Sequence, residues 1–289
     1  MLEGDPSGTT TVVAIDQPNE VNDSTPVKYI DKIDYVNNIS VFNAVRFIFE
    51  IGLKLKVKPL TISTAAITFH RFFKGENQRN HYDFYSIGSS CMFLASKIQS
   101  EMHIDIRDVI NVTHSTLHRN SGPLSHGEKY LAMQEAISQG PLSHGEKYLA
   151  MQEAISQGEL LLMRFMRFNI EAHELPHKYL MTYYNSLRTW IYPQDLKDVP
   201  ILKAAYSFLH DFHHDASILN YKAHQIAIAC LYLALQVYGV HVPYTDEEDG
   251  QLWYLVFDPD LSREKLWEML DNIMNMYNMN PSHQYSVHH

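Results

Sequence analysis

His173-Glu174-Leu175-Pro176-His177 has the spacing of a zinc hydrolase motif, two histidines four residues apart with a glutamate beside the first. That chemistry needs both imidazoles on one helical face and the carboxylate next to a metal-bound water. Pro176 argues against it, because proline is tolerated only in the first turn of a helix. His173 and Glu174 should therefore precede the helix instead of sharing its face. His210 and His214 are also four apart, but their nearby third ligands are only Asp211 and Asp215, and surface histidines account for them more simply. Cys91 and Cys230 sit inside apolar helical patterns and read as reduced core residues, not as a disulfide. No glycine-rich phosphate loop and no Ser/His/Asp arrangement is evident. The sequence thus predicts no catalytic residue, no metal and no cofactor. What remains to explain is a binding surface.

Bulk properties narrow the partners of such a surface. Hydrophobic residues make up 45% and charged residues 19% of the 289 positions, a globular composition. The formal net charge of −10 argues against direct nucleic-acid binding, which needs clustered Lys and Arg to neutralise phosphates. Lys54, Lys56 and Lys58 form the only basic run and read as a solvated helix end. The longest apolar run, Ile226 to Val240, contains Gln236 and falls short of the roughly 20 residues a membrane span needs. No apolar stretch follows Met1, so no secretory signal is expected. These features predict an intracellular protein of the nucleus, the cytoplasm or both, with no membrane partner.

Stepping along the chain, residues 1–35 are polar and aperiodic and read as a disordered tail. From Val41 apolar residues recur at three- and four-residue steps, as a helix requires. The spacing predicts helices over Val41–Lys56 (ended by Pro59), Ser63–Phe73, Tyr82–Glu101 and Asp105–His118, then Pro176–Ile191, Ile201–His213, Tyr221–Tyr238 and Ser262–Met276. Strand alternation bounded by hairpin turns is absent from the sequence. The fold class is all-α.

Two repeats organise these helices. Ala65, Ala66, Phe69 and Phe73 recur as Ala204, Ala205, Phe208 and Phe212, and Cys91, Leu94 and Ala95 recur as Cys230, Leu233 and Ala234, all displaced by 139 residues. Small residues permit close helix crossing while Leu and Phe fill the facing grooves. Two copies of one helical bundle of about five helices follow. A second repeat is an identical tandem copy: residues 122–139 are repeated without change as 140–157. Eighteen residues at about 100° each complete five turns, which keeps helical phase. The second copy runs directly into Glu159 and Leu160 and reads as the structural helix, whereas the first meets Gly140-Pro141 and reads as an extra hairpin.

With these residues assembled, the chain resembles the cyclin family, which carries two five-helix cyclin boxes in tandem. The resemblance rests on Phe93-Leu-Ala-Ser-Lys97-Ile98-Gln99-Ser100-Glu101 and, about sixty residues on, Glu159-Leu-Leu-Leu-Met163-Arg-Phe-Met-Arg-Phe168. Within the family, residues 177–190 and 226–240 resemble the cyclin Q branch, also called cyclin M. The boundaries this implies are a tail over 1–35, an N-terminal box over 36–172 with the duplication inside it, a C-terminal box over 173–280, and a short tail over 281–289.

The resemblance implies an activating, non-catalytic regulatory subunit that forms a heterodimer with a cyclin-dependent kinase, for the cyclin Q branch the one numbered ten. Such a subunit packs on the kinase's movable helix and holds inward the glutamate that must pair with the ATP-anchoring lysine. The resemblance assigns this contact to Lys97 and Glu159, flanked by apolar Ile98, Met163, Phe168 and Ile170. The alternative for the same two charges is a salt bridge internal to one bundle, which the resemblance makes the lesser reading. Gln236 stands where the second repeat would need a lysine, so only the first box should make the contact. Two departures from the family pattern bear on function. The usual Lys-x-Glu-Glu is here Lys97-Ile98-Gln99-Ser100, and the substrate-docking helix of cell-cycle cyclins is replaced by Val45-Arg46-Phe47-Ile48-Phe49 with Gly52 in place of a tryptophan. A cyclin-fold scaffold, or a transcription-factor-like binding module without kinase activation, is the alternative expectation.

Overall fold

The computed structural model describes residues 33–74, 81–118, 142–169, 174–243 and 252–279, with the backbone alone for 142–147 and 279. The N-terminal stretch over 1–32, the first of the tandem copies, Ile170, His173 and the tail over 281–289 lie outside the described residues. Every regular element among the described residues is a helix, and none is a strand.

Local chemistry sets the helix ends. Helix α1 (Val41–Leu55) starts where Ser40 Oγ accepts from the Asn43 amide at 3.0 Å. It stops where Lys56 turns left-handed at φ 57°. Helix α2 (Pro59–Phe72) begins four residues earlier than the expected Ser63. Pro59 does not merely end α1; it opens α2, since its fixed φ and missing N–H suit the first helical position. Helix α3 (Phe84–Ile98) is capped by Asp83, which accepts from the Ser86 amide at 2.7 Å. Helix α4 (Ile106–Leu117) follows, and α5 (Leu142–Phe165) starts immediately after Pro141, so the second tandem copy is helical as expected. Helices α6 (Pro176–Trp190), α7 (Ile201–Phe212), α8 (Ala223–Val237) and α9 (Arg263–Met279) complete the chain.

Packing repeats as the sequence does. Helix α3 is surrounded by α1, α2, α4 and α5, and α8 by α6, α7 and α9. The two central helices are displaced by 139 residues at both ends, Phe84 to Ala223 and Ile98 to Val237. Cys91 and Cys230 lie at their centres with no exposed surface, each an unpaired thiol. Tyr35, within the stretch read as tail, is instead buried, its hydroxyl donating to Glu50 at 2.8 Å and its carbonyl accepting from Tyr85.

The two helix groups meet along α1 and α2 on one side and α6, α7 and a 3₁₀ turn (Ala216–Asn220) on the other. His70 Nε2 donates to the His213 carbonyl at 2.8 Å, and Phe49 stacks on His214 and meets His210 edge-on. This corrects the reading of His210 and His214 as surface residues: an aromatic ring of α1 covers both.

Candidate functional site

The last turn of α3 carries Lys97, and α5 runs beside it. Because a helical side chain leans toward the N-terminus of its helix, the Lys97 ammonium lies back over the Phe93 ring, 4.1 Å from its centroid. There it donates to both carboxylate oxygens of Glu159, at 2.6 and 2.8 Å. The Lys97 side chain stays 52% exposed and that of Glu159 20%. An ammonium has three protons and each carboxylate oxygen two lone pairs, so both groups keep capacity for a partner's backbone.

Residues just past Lys97 tie this corner to α2. Gln99 Nε2 donates to Thr64 Oγ1 at 3.0 Å, in the position where the family pattern has a glutamate. Glu101 is buried, accepting from the Lys58 amide at 2.9 Å and the Thr61 hydroxyl at 3.0 Å. The bond from the Lys58 N–H holds the Glu101 carboxyl below the usual range. It thereby serves as an N-terminal cap for α2, whose own sequence supplies no capping side chain.

The expected apolar flank is present in part. Ile98 and Met163 are half-buried, and Phe168 is 60% exposed on the left-handed turn that ends α5. Ile170 falls outside the described residues. Leu160 and Phe165, not singled out from the sequence, are also substantially exposed on α5. The Leu160-Leu161-Leu162 run held the signal, because one face of a surface helix can bury only some of three consecutive leucines, and here Leu162 is the one fully buried.

The α1 segment Val45-Arg46-Phe47-Ile48-Phe49 turns most of its apolar side chains inward. Val45, Ile48 and Phe49 are buried, and Gly52 is packed so closely that a Cβ would lie 2.6 Å from Ile62. Of the zinc-like motif, Glu174 and His177 are among the described residues. Glu174 precedes α6 and accepts from the Tyr179 hydroxyl at 3.1 Å, while His177 sits inside the first turn near Ser63. Burial, then the neighbouring His210, pushes the His177 imidazole down to about 4. Among the described residues no three His, Cys, Asp or Glu side chains converge as a metal site, and no helix is long and apolar enough to cross a membrane.

Residues 17–171, more than half of the chain, match the cyclin N-terminal domain, and the chain belongs to the cyclin family. It is 25% identical over 238 residues to Cyclin-T1-3 of Oryza sativa subsp. japonica, covering 81% of this chain and 42% of that one. It is also 25% identical over 291 residues to Cyclin-L1 of Danio rerio, covering 98% and 51%. Identity to Cyclin pch1 of Schizosaccharomyces pombe is 25% over 242 residues, covering 82% and 61%. The chain therefore spans less than two thirds of the length of these relatives. A chain of the yeast RNA Pol II CTD kinase CTDK-1 complex shares the fold, with a TM-score of 0.57 at 17% identity, over 86% of this chain and 68% of that one.

Proposed function

We propose that the chain is the regulatory subunit of a cyclin-dependent kinase and uses Lys97 and Glu159 to hold the kinase's movable helix in its active position. The observation that carries this reading is the Lys97–Glu159 pair, 52% and 20% exposed, whose acidic member stands on a helix that also exposes Leu160 and Phe165 and ends near the exposed Phe168. Opposite charges at the rim of an apolar patch suit a helix end, where backbone carbonyls and N–H groups lack intrahelical partners. Lys97 would donate to such carbonyls and Glu159 accept from such N–H groups, while Ile98, Met163, Phe168 and Ile170 supply apolar area. The chain contributes no reacting group. It acts by binding the active kinase arrangement more tightly than the inactive one, which shifts the population between them.

We assign an N-terminal box to residues 36–172 and a C-terminal box to 173–280, with the kinase contact on the first alone. The second repeat has Gln236 and an exposed Val237 where the first has Lys97 and Ile98. The kinase we propose is cyclin-dependent kinase ten, on the likeness of residues 177–190 and 226–240 to cyclin Q. The name of the structural neighbour, a CTD kinase complex, and the cyclin T and L names of the relatives agree with the wider class. The test is co-purification with a panel of cyclin-dependent kinases followed by a kinase assay on a histone-type substrate. Retention and stimulated phosphate transfer with kinase ten are expected. Retention without stimulation would leave a scaffold, and retention of no kinase would end the proposal.

A further inference from the structure

Helix α5 carries a glycine in its interior, next to the proposed contact residue, at a place where glycine weakens a helix relative to alanine. The packing supplies a reason. A Cβ on Gly158 would collide with Ser90 Oγ and lie 2.9 Å from Ser90 Cβ. Ser90 is fully buried on α3, and its hydroxyl is turned back onto the Ser86 carbonyl at 2.9 Å, so it cannot swing aside without losing that bond. The backbone of α5 therefore rests directly on the side chain of Ser90. Glu159 is the next residue, and Lys97 reaches it from two turns further along α3 by folding back over Phe93.

We propose that Gly158 is a positioning residue: its missing side chain sets the α3–α5 approach at which Glu159 meets Lys97, so a wedge between Ser90 and residue 158 dissolves the ion pair. Only the further step, from ion pair to kinase binding, rests on the functional reading above. Phe93 contributes the other half of the arrangement, since its ring fixes where the ammonium lies.

The experiment measures the pair in the free chain, without any kinase. Lys97→Ala and Glu159→Ala are made singly and together, and the midpoints of urea unfolding are compared for non-additivity. The parent should show it and Gly158→Ala should not. Gly158→Ala combined with Ser90→Gly, which removes both colliding atoms, should regain it. That rescue separates positioning from general damage to the fold. Should Gly158→Ala fail to fold, the milder wedge Ser90→Thr serves, with partial loss of non-additivity expected. Undiminished coupling in Gly158→Ala, or no rescue by Ser90→Gly, would overturn the inference. Retention of cyclin-dependent kinase ten by the same variants is read separately, with at least a tenfold loss and its recovery expected. Coupling lost while kinase retention holds would leave the positioning role standing and sink the functional reading.

Discussion

Reversing the Lys97–Glu159 pair separates its two roles. In the doubly substituted Lys97→Glu, Glu159→Lys chain an internal ion pair can still form, but its polarity toward a partner is inverted. The pair is worth little to the fold. With one side chain 52% and the other 20% exposed, the ion pair contributes about 0.2–1 kcal/mol. The contact with the Phe93 ring adds about 0.5–1 kcal/mol. Removing both groups as Lys97→Ala, Glu159→Ala should thus cost about 1 kcal/mol, a fall of roughly 2–4 °C in melting temperature for a chain of this size. The reversed pair should cost less. In the proposed complex the same groups would be desolvated against the kinase helix, where loss of one partner costs about 2–5 kcal/mol. At 1.4 kcal/mol per decade that weakens kinase binding about 30-fold to several thousand-fold. Thermal unfolding followed by far-ultraviolet circular dichroism, and titration on immobilised cyclin-dependent kinase ten, measure the two quantities on one preparation. A reversed chain that binds as the parent does, or an alanine pair that lowers melting by more than about 10 °C, would refute these roles for Lys97 and Glu159.

The histidines between the helix groups predict acid sensitivity. Burial pushes His177 and His214 down to about 4 and His213 well below its usual range, so the unfolded chain takes up protons from about pH 6.5 downward before the folded one does. Stability is therefore full above pH 6.5 and declines toward pH 4, by about 1.4 kcal/mol per pH unit for each histidine; equal urea midpoints at pH 7 and pH 5 would contradict this. Cys91 and Cys230 are wholly buried, which pushes both thiols up, so neither should react with a disulfide reagent until the chain is denatured in guanidinium, where both should titrate. Because the tandem copies are identical, deleting residues 122–139 gives the same chain as deleting 140–157. That shortened chain should keep α5, its melting temperature within about 2 °C and its kinase retention; loss of retention would assign the extra copy a role in binding.

What the sequence made legible follows from which contacts repeat. Small and large apolar residues at a constant displacement locate the buried centres of α3 and α8, whereas the expected spans, Tyr82–Glu101 and Tyr221–Tyr238, overrun the observed ends because the terminal turns carry exposed positions that blur the pattern. Pro59 is ambiguous in the sequence, since proline's local chemistry both ends one helix and begins the next, and the structure has it begin α2. His210 and His214 have the four-residue spacing of a surface pair and of a buried one alike; Phe49, far away in the chain, decides between them. Lys97 and Glu159 were found by family likeness, whereas Phe93 and Gly158 acquire meaning only when α3 and α5 cross. The same comparison bears on why one fold repeated twice should present one charged contact. At the end of α8 the cation is replaced by Gln236 and its neighbour Val237 is 61% exposed where the first repeat has the half-buried Ile98, so that corner offers apolar area without a lysine. A partner helix can be attracted to either face by area, but a lysine paired with a glutamate can also fix its register and direction. Only α3 and α5 offer that combination among the described residues of these two corners, which is the physical reason to assign a single kinase helix to the first box.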